Sequence, residues 1–290
     1  MDIDIHQIIT NQIIEAMESA RTTGRRLWDS QPSLPLNLAT GKPYQGINTL
    51  ILWAAGLQNG YTSPHWLTYR QAADKGGQVR KGEHGVHCVF YKPWESQETN
   101  HETGETEIVK GAVLKGFTVF NLDQVDGIEA PAREPRASFQ AIEEAERILQ
   151  ASPAPIRIGG ARACYIPSRD EIHLPAREAF INPEAFYSTA LHELAHSTGH
   201  KDRLARDFSG RFGDAAYAFE ELIAEMGSAF LNADIGIVGS TLQDHADYLA
   251  HWVAILKSDK KAILTAAAQA SKAHAFIKGL LADQGQEVAA

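Results

Sequence analysis

The stretch "LHELAHSTGH", residues 191–200, sets His192 and His196 four positions apart with Glu193 beside the first, and it closes a longer run, "INPEAFYSTALHELAHSTGH". Asn182 is a good helix N-cap and Pro183 suits the first helical position, so the run predicts a helix. Four residues are about one helical turn, which projects both imidazoles from one face and lets them converge on a single ion. This is the H-E-x-x-H zinc spacing. Two neutral imidazoles and a third protein ligand hold Zn²⁺ and leave one position to water. The ion lowers the pKa of that water to roughly 7, and a nearby glutamate takes its proton as it attacks a peptide carbonyl. His192 and His196 are therefore expected as metal ligands and Glu193 as general base and proton shuttle. Other divalent ions suit such a site as well.

The third ligand must come from elsewhere. On a continuous helix His200 lies about 12 Å beyond His192, too far for one ion to reach both, and Gly199 is placed to end the helix before it. Asp202 stands where a metzincin would carry its third histidine. The segment "FEELIAEMG" offers Glu221 and Glu225 on one helix face. Glu221 is assigned to the metal and Glu225 to a hydrogen bond from the far nitrogen of a ligand histidine, with Glu220 or Glu225 as alternative ligands. Tyr217, one turn before Glu221, is placed to donate to a tetrahedral oxyanion. His245 and His251, in "QDHADYLAHW", lack paired ligand spacing and are read as structural.

Upstream of the motif, "IRIGG", "ACYIP" and "IHLP" predict a small antiparallel sheet, preceded by the helix "SFQAIEEAERILQ". Downstream come three strong helical patterns, "DAAYAFEELIAEMGSAFLNA", "QDHADYLAHWVAILKSD" and "KAILTAAAQASKAHAFIKGLL". The proline-containing, mixed-charge "DGIEAPAREPRAS" is the best linker. It divides the chain into a first domain over 1–128, a linker over 129–137 and a second domain over 138–290. The first domain starts with the amphipathic "IHQIITNQIIEAM" and continues with "NTLILWAAGLQNG", a short buried helix capped by Asn48 and stopped by Gly60. Another short helix, "TYRQAADKGG", precedes the strands "GVHCVFYKPW" and "GAVLKGFTVFNL". Between those strands, residues 95–107 carry five glutamates and read as a solvated loop or hairpin tip. Both domains are thus α+β.

The chain has 290 residues, 44% of them hydrophobic and 22% charged, enough apolar mass for two packed cores. A formal charge of −9 argues against attraction of nucleic acid or anionic lipid by the whole surface. Residues 61–92 reverse that sign locally: Arg70, Lys75, Arg80, Lys81 and Lys92 face only Asp74 and Glu83 in sequence. No apolar run is long enough for a membrane span, and "MDIDIHQIIT" puts acids where a signal peptide carries lysine or arginine. Two cysteines, Cys88 and Cys164, are too few for a disulfide scaffold. The expectation is a cytoplasmic protein with no membrane partner and buried thiols.

"HELAHSTGH", "RLARDF", "FEELIAEMGSAFL" and "YLAHWVAILKSDKKAI", with "TGKPYQGINTLILW", "WLTYRQAADKGGQVRKGEHG" and "FTVFNLDQV", resemble the ArdC-type plasmid antirestriction proteins over nearly the whole chain and in the same order. The resemblance implies an N-terminal domain that binds single-stranded DNA, similar to the N-terminal part of plasmid-encoded primases, and a C-terminal zincin metallopeptidase-like domain. It also implies protection of incoming plasmid DNA from host restriction during conjugation. On the motif, it implies His192 and His196 as ligands and Glu193 as catalytic acid/base. It covers no role for residues 95–107.

Single strands are held by aromatic faces that stack on bases and by cations that follow the phosphates. Trp28, Tyr44, Trp53, Trp66, Tyr69 and Tyr91 interleave with Arg25, Arg26, Lys42, Arg70, Arg80, Lys81 and Lys92. Of these, Tyr44, Trp66, Arg70, Arg80 and Lys81 are the chosen DNA-binding residues, while Trp53, inside "LILWAAG", reads as core. Two further readings stand beside the leading one. The chain is either a DNA-binding shield whose zinc site is only structural, or a generic metallopeptidase whose first domain recognises protein. A protein substrate, such as a restriction-system component, is the partner that a peptidase site requires.

Overall fold

The computed structural model describes residues 4–23, 33–99, 106–131, 138–209, 214–237 and 246–287. Helix α1 (Ile5–Thr23) buries Ile9, Ile13 and Met17, one residue per turn, as an amphipathic helix should. Strand β1 (Leu36–Asn37) leads to α2 (Ile47–Asn59), which ends at Gly60 in the left-handed conformation, φ 68°, as expected of that glycine. The start of α2 differs from expectation. Gly46, φ 59°, occupies the cap, and Asn48 lies inside the helix. Its amide instead pairs both ways with the backbone of Val89: the Val89 N–H donates to Oδ1 at 2.9 Å and Nδ2 donates to the Val89 carbonyl at 2.7 Å. A side chain with both a donor and an acceptor ties the helix to a neighbouring strand better than it serves as a cap.

Strand β2 (His65–Leu67) is followed by α3 (Tyr69–Asp74), started by a capping box between Thr68 and Gln71, and by β3 (Gln78–Val79). Strands β4 (Val86–Thr99) and β5 (Thr106–Asn121) form a long antiparallel hairpin, and β6 (Val125–Asp126) pairs with β3. The larger sheet runs β1-β2-β5-β4, with β1 and β2 parallel. The described parts of the acidic stretch, 95–99 and 106–107, belong to the strands of this hairpin. Its ladder continues out to Glu98 opposite Glu107 and Thr99 opposite Thr106, because backbone pairing propagates independently of side-chain charge.

The second part begins with α4 (Ser138–Gln150), then β7 (Ile156–Gly160), β8 (Cys164–Ile166) and β9 (Glu171–Pro175). Helices α5 (Pro183–Ser197), α6 (Ala215–Ile235), α7 (Ala246–Ser258) and α8 (Ala262–Glu287) complete it. The small sheet is mixed, not purely antiparallel: β8 and β9 form the expected hairpin, but β7 joins the far side of β9 in parallel. A register shift between Ile158 and Gly160, with Gly159 at φ 112°, turns the chain off the β7 edge. Strand β8 is thereby left at an edge.

The chain is α+β, and one apolar cluster runs through both of its parts. Ile13 of α1 and Leu50 and Trp53 of α2 pack with Leu222, Met226 and Phe230 of α6, Trp252 of α7 and Ile263 of α8. The Trp53 and Phe230 rings lie 5.7 Å apart. A second cluster joins α4, β9, α5 and the end of α6 through Ile148, Ile172, Leu174, Leu191, Leu194 and Leu231. Among the described residues no helix is long and apolar enough to cross a membrane. Ile13→Ala should cost about 2–5 kcal/mol, although Ile13 is far in sequence from the helices it packs against. Urea unfolding should show one transition at lower denaturant, because the cluster ties α1 to α6.

Candidate metal centre

Helix α5 starts as its sequence requires, with Asn182 Oδ1 accepting from the Ala185 N–H at 2.8 Å and Pro183 in the first turn. It is buried along most of its length, packed between the small sheet and α6. Gly227 eases the approach of α6: a Cβ there would stand 3.4 Å from Ala195 Cβ. His192, Glu193 and His196 therefore face a nearly closed space, each less than a tenth exposed, and Glu220, Glu221 and Glu225 enter it from α6.

The two Nε2 atoms of His192 and His196 stand 3.2 Å apart. The Glu221 carboxylate faces both, 3.5 Å from His192 Nε2 and 3.6 Å from His196 Nε2. An ion with tetrahedral bonds of about 2.0–2.1 Å separates its donors by about 3.3–3.4 Å. The three donor groups thus have the spacing of a first-row divalent site, and among the described residues they are the group that could hold a metal ion. The far nitrogens are also engaged: His192 Nδ1 lies 3.3 Å from Glu225 and His196 Nδ1 lies 3.2 Å from Glu220. Such contacts fix ring orientation and keep Nε2 directed inward.

The electrostatics point the same way. Burial alone would favour neutral imidazoles, but the carboxylates outweigh it, holding His192 well above the usual histidine range and lifting His196 to about 9. Burial would raise the Glu221 carboxyl, yet the two histidines hold it far below the usual carboxylate range. A space that takes up protons this strongly is one where a dication displaces them.

The three candidates on α6, Glu220, Glu221 and Glu225, thus separate by geometry. Glu221 faces both rings, Glu225 backs His192, and Glu220 backs His196. Glu220 is also held by Arg206, whose Nε and Nη2 donate to its two oxygens at 2.9 and 2.7 Å. Arg206 further donates to Thr198 Oγ1 at 2.7 Å and to the Ala195 carbonyl at 2.8 Å. Gly199 makes room for it, since a Cβ there would meet Phe208 at 2.7 Å and Arg206 at 3.0 Å. Glu193 Oε2 accepts the backbone N–H of Tyr165, on β8, at 2.7 Å. Tyr217 is half-buried on α6, and His200 lies against Asp202 outside the cluster. His245 lies outside the described residues, and His251 falls on α7. Sequence reasoning gave no role to Arg203 or Arg206. The signal was the pair of arginines in "RLARDF" directly after the motif, which a glutamate-rich partner helix should attract.

The expected DNA-binding residues scatter. Trp66, chosen as a stacking face, is a core residue instead: it is 2% exposed and meets Tyr61 edge-on at 5.8 Å. A pattern of aromatics among cations does not tell which rings point inward. Tyr44 is half-buried, its hydroxyl accepting from Asn37 Nδ2 at 3.1 Å and pushed up to about 12 by burial. Arg70 is 92% exposed on α3, near Asp74. Arg80 is tied to Glu83 and Asp126 at 2.9 and 3.3 Å, and Lys81 is exposed. Tyr69, 54% exposed, and Phe120 join Arg80 and Lys81 around an open cleft of about 520 Å³. Trp28, Arg25 and Arg26 lie outside the described residues.

Two family models match the chain in this order: the N-terminal domain of anti-restriction factor ArdC over residues 3–120, and a zincin-like metallopeptidase over residues 143–269. The crystal structure of the antirestriction ArdC protein from plasmid R388, metal-free, is 38% identical, with a TM-score of 0.79 over 97% of this chain and 99% of that one. This chain belongs to the ArdC antirestriction family. The Mn(II)-bound structure of the same ArdC aligns at TM-score 0.77 and 36% identity, again over 97% of this chain and 99% of that one. An uncharacterized protein, y4eC, of Sinorhizobium fredii (strain NBRC 101917 / NGR234) is 40% identical over 275 residues, 93% of this chain and 90% of that protein. Two DNA primases TraC of Escherichia coli are 39% and 37% identical over 97% of this chain, which spans 28% and 20% of their lengths.

Arg206→Met leaves Glu220 buried beside the helix end without its guanidinium, a change that should cost about 3–5 kcal/mol. Denaturant unfolding should show that loss. The double variant Arg206→Met/Glu220→Gln should recover part of it, because no uncompensated carboxylate then remains.

Proposed function

We propose that this chain is a divalent-metal peptidase, with zinc as its resident ion, joined to a surface that binds single-stranded DNA. In this reading it acts in the cytoplasm to protect incoming plasmid DNA from host restriction during conjugation. The observation that carries the hydrolytic part is the convergence of His192, His196 and Glu221 beside Glu193. His192, His196 and Glu221 hold the ion, which when bound polarises water and a substrate carbonyl. Glu193 keeps one oxygen on the Tyr165 N–H and uses its carboxylate to take a proton from water and return it to the leaving amine. Tyr217 donates to the oxyanion, while Glu225 and the Glu220–Arg206 pair keep both rings aimed inward.

The sheet supplies a place for a polypeptide. Tyr165 pairs with Ile172 of β9, but the Ile172 N–H is engaged by the Pro155 carbonyl and the Tyr165 N–H by Glu193. The Tyr165 amide thus points away from β9, toward the catalytic base, and an extended segment laid along the outer side of β8 passes the site. A catalytic rather than purely structural ion is favoured by the ArdC relative, for which both a metal-free and a Mn(II)-bound structure resemble this chain at similar TM-scores. A restriction-system component is the substrate that fits the family's antirestriction role.

For DNA, the cleft between Tyr69, Phe120, Arg80 and Lys81 offers ring surface and cations together, with Arg70 on the adjoining helix. The match of DNA primases TraC to nearly all of this chain supports a DNA-handling role. The acidic remainder of the surface repels duplex and limits contact to this groove.

Glu193→Gln should retain one equivalent of zinc by elemental analysis and lose casein hydrolysis by about 10²–10⁴-fold, whereas His196→Ala should lose the zinc. Undiminished plasmid protection by Glu193→Gln in a conjugation assay would instead support a DNA shield. On a single-stranded oligonucleotide, Lys81→Ala should flatten the salt dependence of log K by about 0.7, and Tyr69→Ala should weaken binding by about 1–3 kcal/mol. No gel shift at low salt for the wild type would leave the first domain to protein recognition.

A further inference from the structure

We propose that Arg203 and Asp170 are positioning residues, which lock strand β8 to the end of α5 so that the Tyr165 N–H holds the Glu193 carboxylate beside the histidine pair. Arg203 follows the motif helix by six residues from Ser197 and is almost wholly buried. Its Nε donates to the Ser197 carbonyl at 2.7 Å, in the last turn of α5. Its Nη1 donates to Asp170 Oδ2 at 2.9 Å, and its Nη2 forms a closer bond to Asp170 Oδ1. Nη2 also reaches the Tyr165 hydroxyl at 3.3 Å.

Asp170 sits in the turn between β8 and β9 with φ 52°, a left-handed conformation that Asp tolerates better than most residues. Its Oδ1 accepts the Tyr165 hydroxyl at 2.8 Å. Tyr165 is therefore fixed at both ends. The phenol is held by Asp170 and Arg203, and the backbone N–H is given to Glu193. The Phe208 ring, 5.8 Å from the Tyr165 ring, packs beside this joint.

The planar fork matters because it bonds a carboxylate through two donors while its third nitrogen reaches a helix carbonyl. The cation also lies at the negative end of the α5 dipole. One guanidinium thus ties the helix that carries His192, Glu193 and His196 to the strand edge that holds Glu193. A base displaced by about 1 Å loses much of its rate, so the clamp acts on the reaction through Glu193 without touching the metal ligands.

This inference rests on the hydrolytic reading of Glu193, and the full-length, zinc-loaded protein tests it with readouts that separate the two. In Arg203→Met, the Tyr165 amide should exchange with solvent at least about tenfold faster while the Ile172 amide is unchanged. On fluorescein-labelled casein, kcat should fall by at least about tenfold, with KM and zinc affinity held within about twofold. Arg203→Lys, which keeps the charge but not the fork, and Tyr165→Phe, which keeps the ring, should both fall between.

Wild-type protection and kcat in folded Arg203→Met would overturn the proposal, as would a loss of zinc affinity in step with kcat, which marks a merely structural role. If Arg203→Met does not fold, Tyr165→Phe decides, and an unchanged kcat there overturns the clamp. If the wild type cleaves no casein, the hydrolytic reading fails, and amide exchange alone decides whether Arg203 holds the strand.

Discussion

Two imidazole Nε2 atoms 3.2 Å apart, with a carboxylate facing both and a further carboxylate behind each ring, form a buried cluster that is stable only around positive charge. Five charged or polarisable groups removed from water would repel or neutralise one another unless a cation offsets them. Protons supply that charge in part, which is why both histidines are drawn upward against the effect of burial. A dication supplies it in one place, at the centre of the donors. Helix start, helix spacing and the pairing of Arg206 with Glu220 all serve to hold these groups where that exchange can occur.

Helix α6 is the element that makes the cluster rigid, because it has no idle face. Glu220, Glu221 and Glu225 point into the site, while Leu222, Met226 and Phe230 pack into the cluster that contains Ile13, Leu50 and Trp53 of the N-terminal part. Leu231 and Ile235 belong to the second cluster with α4, α5 and β9. A carboxylate carried on a helix anchored on both sides loses little conformational freedom when it meets an ion. The same anchoring makes the N-terminal helices part of the support of the metal centre, and any surface on α3 and the long hairpin is built on the same frame.

Much of this frame was legible in the sequence because helices announce themselves by period and by end signals. Asn182 and Pro183 fixed the start of α5, and the spacing of His192, His196, Glu221 and Glu225 fixed which side chains share a face. Contacts between elements were harder. Asn48 looks like a cap by type, yet it bridges to Val89, a partner 41 residues away that no local rule can supply. Strand identity was readable around Ile156–Gly160, but its parallel pairing to β9 was not, because alternation marks strands and not their neighbours. Trp66 fails for a related reason: an aromatic between cations is compatible with either side of a sheet, and the core claimed it.

The order of residues behind the motif follows from the same constraint. Three glutamates within six positions of one helix would repel if they met one environment, so each needs a distinct counter-charge. Glu221 has the ion site and both rings, Glu225 has His192 Nδ1, and Glu220 has His196 Nδ1 and Arg206. Arg206 comes from the loop directly after α5, so the segment that supplies the ligands also supplies the cation that stops the third acid from competing for the metal. Arg203, three residues earlier, turns the other way, to Asp170 and the edge of the small sheet. The short "RLARDF" loop thus divides its two charges between the acid that backs a ligand and the strand that holds the base, and the site is closed from both sides by residues that never reach its centre.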